Sequence, residues 1–61
     1  MNDDVKEELT ILLELLKKSL MNNHVSMATD NSGNIYFFDT DIYVTENKMS
    51  GFHVNVKDMV K

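Results

Sequence analysis

The stretch TDNSGNIYFFDTD, residues 29–41, holds a cluster of turn-forming residues followed by an aromatic run. Asparagine, serine and glycine are favoured in turns, whereas isoleucine, tyrosine and phenylalanine are enriched in β-strands. The residues before the cluster, from Val25 to Asp30, alternate in the manner of extended chain. The stretch therefore predicts a β-hairpin with strands over residues 24–30 and 34–39.

A two-residue turn centred on Ser32 and Gly33 would set the register of this hairpin, with Met27 opposite Phe38. One face of the sheet would then carry Val25, Met27, Tyr36 and Phe38, joined by Ile42 and Val44 if the strand continues. The other face would carry Ala28, Ile35, Phe37 and Tyr43. We expect a helix to cover the first face. The second face would then be covered by the C-terminal residues or by another chain, or would remain a small exposed patch.

The same stretch resembles an EF-hand calcium loop when Gly33 is placed at the sixth loop position, because Asp30 and Asp39 then fall at ligand positions. The first ligand position would be Ala28, however, which has no side-chain oxygen. In the hairpin the two aspartates would lie roughly 13 Å apart along the sheet, too far to share one ion. The hairpin is therefore the stronger prediction, and a weak calcium or zinc module is kept as an alternative.

An amphipathic helix is predicted before the hairpin, over about residues 4–21. At about 100° per residue, six apolar side chains share one face of it: Val5, Leu9, Leu12, Leu13, Leu16 and Leu20. Asp4 and Glu7 predict a capping box at its start, and Asn22 with Asn23 predicts its end. Ile11 and Leu15 form a second ridge. This ridge belongs either to a wide core stripe or to a contact surface for another chain.

Two further extended segments are predicted after the hairpin, over residues 42–45 and 51–56. The second has the clearer alternation, with Phe52, Val54 and Val56 separated by polar residues. Residues 57–61 are expected to fray or to add one helical turn. The whole chain, 1–61, is thus predicted to be a single small α+β domain. Its amino-terminal amphipathic helix would pack on a small antiparallel sheet of three to four strands.

The composition excludes several classes of function. The 61 residues carry a net charge of −4, and every basic residue is lysine. The absence of arginine argues against direct binding to nucleic acid. No apolar run approaches the length that spans a bilayer, and the acidic start is unlike a signal peptide. We therefore expect a cytoplasmic protein, and its asparagine-rich, proline-free composition hints at a bacterial or phage source.

No stretch of the chain carries a recognisable catalytic motif. The serines lack a nucleophile-elbow context, the two glycines form no phosphate loop, and His24 and His53 lack metal-ligand spacing. Cysteine is absent, which excludes disulfides and thiolate metal sites. The sequence therefore predicts a protein that is not an enzyme and holds no cofactor.

The predicted function is binding, with a protein partner that is most simply a second copy. A chain this short buries only about 60% of its unfolded surface, so association would help to stabilise it. The predicted partner-binding residues are Ile35, Phe37 and Tyr43 on the sheet with Ile11 and Leu15 on the helix. We expect a small, non-catalytic, self-associating interaction or regulatory module. The other alternative is an acidic inhibitor that mimics nucleic acid and blocks a DNA-handling enzyme.

Overall fold

The computed structural model describes residues 1–60 and places a long helix before a three-stranded antiparallel sheet in the order β1-β2-β3. The elements are α1 Asp3–Asn22, β1 Val25–Thr29, β2 Asn34–Asp39, α2 Thr40–Glu46, β3 Gly51–Asn55 and a final 3-10 helix, Val56–Met59. The predicted α+β class is confirmed. Lys61, which ends the predicted domain, lies outside the described residues. Within residues 1–60, no helix is long and apolar enough to cross a membrane.

Helix α1 is capped by residues other than those predicted. Its N-cap is Asn2, whose side chain accepts a hydrogen bond of 2.8 Å from the Val5 N–H. The predicted capping box at Asp4 is therefore wrong, because Asp4 already lies within the first turn. The helix ends at Asn22 as expected, but the left-handed residue that follows is His24, with φ of 54°.

The hairpin has a three-residue loop, and its register therefore differs by one residue from the prediction. Met27 pairs with Phe37, and Thr29 pairs with Ile35. The Asp30 N–H donates to the Asn34 carbonyl at 3.2 Å, and Gly33 adopts a left-handed φ of 83°. A turn followed by a left-handed glycine is a common three-residue loop. Because side chains alternate along a strand, this shift moves every side chain of β2 to the other face relative to β1.

The segment after β2 is helical, so the predicted strand over residues 42–45 is wrong. The Asp39 side chain caps α2 by accepting a 2.9 Å hydrogen bond from the Ile42 N–H. Asn47 ends the helix in the left-handed conformation, with φ of 56°. These two caps and the packing of Tyr43 on Phe38, with ring centroids 5.3 Å apart, outweigh the strand propensity of a run rich in β-branched residues.

The interior of the molecule is very small. Within residues 1–60, Phe38 is the one buried side chain, with 8% of its surface exposed. It lies under α2, on the sheet face that also carries Ser26 and Tyr36. A hydrogen bond of 2.6 Å joins the Ser26 and Thr40 hydroxyls and fixes α2 to β1. The helix that covers Phe38 is therefore α2, whereas the sequence assigned that place to α1.

Candidate interaction surface

The molecule is more extended than a compact chain of its length. Its radius of gyration is 13.8 Å, against about 10.5 Å expected for 61 residues. Its accessible surface is 5361 Å² for a mass of 7.0 kDa, against about 4,000 Å² expected from the scaling of folded monomers. Roughly 1,300 Å² of surface that a compact monomer would bury is therefore exposed to solvent.

Much of this excess lies on helix α1. The predicted apolar stripe is present, but its residues are largely uncovered: Val5, Leu9, Leu12, Leu13 and Leu16 all have more than a third of their surface exposed. Leu13 is 64% exposed, and Leu20 is the one residue of α1 that is even half-buried. An apolar stripe of this kind normally packs against a hydrophobic core, whereas the stripe of α1 faces largely solvent.

A second apolar region lies on the sheet face opposite α2. The register places Met27, Phe37 and Phe52 side by side across the three strands. The Phe37 and Phe52 rings stack with centroids 5.2 Å apart, and Phe52 is still 66% exposed. Aromatic pairs of this kind contribute most when water is excluded from them.

A groove joins the helix to the sheet at Met27. The groove has a volume of about 330 Å³ and is lined by Leu13, Leu16, Lys17, Leu20, Met21 and Met27. Apolar surface therefore runs from the α1 stripe through Met27 to the stacked phenylalanines. We call this the apolar face, and define it as Val5, Leu9, Leu12, Leu13, Leu16, Leu20, Met27, Phe37 and Phe52. A continuous apolar patch of this extent is typical of an interaction surface.

Two of the five predicted partner-binding residues lie together on one face of the sheet. Ile35 and Phe37 share the sheet face that carries Met27. Tyr43 lies on α2 and packs on Phe38, so its predicted place beside Phe37 is wrong. The expectation that Ala28 lies with Phe37 is wrong for the same reason of register, since Ala28 pairs with Tyr36.

Ile11 and Leu15, the other two predicted residues, lie on α1 and are more than half exposed. At about 100° per residue, Leu15 lies about 160° around the helix from Leu13. Ile11 and Leu15 therefore form a ridge that points away from Leu13 but borders the stripe at Leu12, which is about 60° around the helix from Leu15. The sequence pattern predicts that the stripe is core, and Leu13 is therefore not among the predicted contact residues. Only the packing of α1 reveals that the stripe is uncovered.

The stretch that resembled a calcium loop is a hydrogen-bonded turn. The Asp30 carboxylate accepts four hydrogen bonds: from the backbone N–H groups of Ser32 and Asn34, the Asn34 side-chain amide and the Tyr36 hydroxyl, at 2.8 to 3.0 Å. The bonds from Asn34 and Tyr36 lower the pKa of Asp30 from 3.8 to about 2. The bond to Asp30 raises the pKa of the Tyr36 hydroxyl in turn. Both carboxylate oxygens are thus already engaged by protein donors.

The other two aspartates of that stretch, Asp39 and Asp41, make contacts elsewhere in the structure. Asp39 caps α2, and the Asp41 carboxylate lies 3.7 Å from the His24 ring. Asp39 is opposite Val25, so it lies roughly 16 Å along the sheet from Asp30. No group of three or more histidine, cysteine, aspartate or glutamate side chains within residues 1–60 could hold a metal ion.

Comparison with protein-family models, with curated proteins and with solved structures finds no match to this chain.

Proposed function

We propose that the protein is a small, non-catalytic interaction module that self-associates through its apolar face. The observation that carries the proposal is that Leu13 and Phe52 are about two-thirds exposed on one continuous apolar surface. With Phe38 as the one buried side chain of the described residues, little hydrophobic burial opposes the conformational entropy of the chain. A second copy would supply the missing burial.

The area available suits a permanent dimer. Two separate protomers expose about 10,700 Å², whereas a compact protein of twice the mass exposes about 6,700 Å². Dimerisation to ordinary compactness would therefore bury about 4,000 Å², which lies within the roughly 2,000–5,000 Å² of obligate homodimers. A partner that is required for folding must be present whenever the chain is made. The same chain always meets that condition.

The proposal is tested by the dependence of mass and stability on protein concentration. Sedimentation equilibrium at micromolar concentration is expected to give twice the mass of the chain. If unfolding and dissociation are one step, a hundredfold dilution lowers the apparent stability by about 2.7 kcal/mol. Such a loss moves the urea midpoint down by roughly 1–2 M. A protein that stays soluble as a monomer, with a midpoint independent of concentration, would contradict the proposal.

The remaining expectations stay predictions. A cytoplasmic location, a bacterial or phage source and a contact role for Ile11, Leu15 and Tyr43 are untested. The same holds for the acidic inhibitor, in which carboxylates would stand in for phosphates. Its test is the binding of a basic DNA-handling enzyme at two salt concentrations, since mimicry requires the affinity to fall as salt rises.

A further inference from the structure

Helix α1 is too long for the sheet beside it. Its 20 residues extend about 30 Å, whereas the five residues of β1 extend roughly 16 Å. The α1 residues that line the groove with Met27 all come from Leu13 onward. The amino-terminal half of α1 therefore presents Val5 and Leu9 to solvent, each about two-fifths exposed.

The sheet has a matching uncovered region. A hollow beside Phe52 is lined by Val25, Phe37, Phe38, Asp39, Ser50, Gly51 and Phe52, all of them from the strands and the loop before β3. The groove at Met27 lies between α1 and β1, which is one edge strand of the sheet, whereas Phe52 lies on β3 at the other edge. Each protomer thus has half a helix without a sheet and half a sheet face without a helix.

The two regions differ in charge. The first ten residues of the chain carry four carboxylates, those of Asp3, Asp4, Glu7 and Glu8, and one lysine. Residues 46–58, which contain β3, carry Lys48 and Lys57 balanced by Glu46 and Asp58, and β3 itself carries no carboxylate. An acidic half-helix is therefore better placed across β3 than against a second acidic half-helix, which would repel it.

We propose that in the homodimer the amino-terminal half of each α1 packs over Phe37 and Phe52 of the other copy. The contact is reciprocal, as a two-fold axis requires, because each copy offers the half-helix that its partner lacks. Leu9 faces the stacked rings, and the acidic first turns of the helix lie near Lys48 and Lys57. The inference rests on the proposed self-association and specifies its geometry.

Cross-linking between single-cysteine variants tests this geometry, and the absence of native cysteine makes the result unambiguous. Leu9→Cys protein is mixed with Phe52→Cys protein that carries a tag of different mass, and a short bismaleimide is added. A mixed product can arise only between copies. The matched control is Ile11→Cys, which lies about 160° around the helix from Leu9. We expect the Leu9 variant to yield at least fivefold more mixed product than the Ile11 variant.

The outcomes separate this inference from the proposed function. A dimer in which Ile11→Cys links to Phe52→Cys as well as Leu9→Cys does would overturn the arrangement and leave self-association intact. So would a dimer in which neither variant gives a mixed product. A monomer by sedimentation would remove both proposals at once.

A charge reversal gives a second and independent readout. Lys57→Glu is expected to raise the dimer Kd about two- to fivefold at low salt, with the effect shrinking as salt screens it. The control is Lys18→Glu, which makes the same change of net charge on α1 and lies away from the stripe. An equal rise in Kd for both variants would mean that only net charge matters, and the docking of α1 beside β3 would then be wrong.

Discussion

Replacing Leu13 with serine is the most direct perturbation of the apolar face. Complete burial of a leucine side chain contributes about 1.5–3 kcal/mol. Leu13 is 64% exposed in the protomer, so the burial still available to it is about 1–2 kcal/mol. Each dimer contains two copies of the residue, which gives about 2–4 kcal/mol in total. At 1.4 kcal/mol per factor of ten, the dimer Kd should rise roughly 30- to 700-fold.

The matched control is Leu15→Ser, which changes the same residue type on the same helix. Leu15 is 58% exposed, nearly the same as Leu13, and both changes carry the same cost in helix propensity. Any difference between the two variants therefore reports the face of the helix rather than the chemistry of the substitution. Leu15→Ser is expected to change Kd less than fivefold.

Sedimentation equilibrium over a range of loading concentrations measures both Kd values, and circular dichroism verifies that helix content is retained. Two results would refute the reasoning. If both variants weaken association equally, the stripe is not distinguished from the ridge at Ile11 and Leu15. If Leu15→Ser weakens association and Leu13→Ser does not, the ridge is the interface and the apolar face is not.

Three further predictions concern the sheet and its turn. Gly51→Ala should destabilise the protein by about 2 kcal/mol or more, because a Cβ there would lie 1.9 Å from the Phe37 carbonyl oxygen. Urea unfolding measures this loss, and the control variant Ser50→Ala should change the urea midpoint little. The hydrogen bonds from Asn34, Tyr36 and Ser32 hold the pKa of Asp30 at about 2. The stability that the folded protein gains from the ionised Asp30 is therefore complete above about pH 4 and is lost as the pH falls toward 2. The urea midpoint of Asp30→Ala should therefore lie below that of the native chain at pH 7 and approach it at pH 2, and a constant difference would contradict this. Calorimetry with millimolar calcium or zinc should show no binding heat, because both Asp30 carboxylate oxygens accept hydrogen bonds from protein groups. A binding heat that Asp30→Asn abolishes would instead show that Asp30 binds the metal ion.

The proposed self-association would also account for the composition of α1. A helix with apolar residues on a stripe and on an adjoining ridge is unusual at the surface of a monomer of this size. In the proposed dimer the stripe would be buried between copies, and the ridge at Ile11 and Leu15 would stay exposed. The net charge of −4 helps to keep such an assembly soluble.

Local signals in the sequence determined the elements with the strongest patterns. The leucine stripe predicted α1, and the cluster around Gly33 predicted the hairpin, because helix periodicity and turn chemistry act over a few residues. The α+β class follows from those two elements together with the alternation at Phe52. The residue types also sufficed to predict that apolar side chains would be left without cover, since a chain this short has few ways to bury them.

The tertiary structure alone decided which apolar residues are uncovered. The four hydrogen bonds to Asp30 fit a three-residue loop, and the resulting shift of one residue moved Phe37 beside Met27 and Phe38 beneath α2. The caps at Asp39 and Asn47 turned a strand-like segment into a helix. Whether a leucine stripe faces a core depends on where the helix axis runs, and a sequence pattern specifies only which side chains share a face. The exposure of the apolar face was therefore visible only once α1 had been placed beside the edge of its sheet.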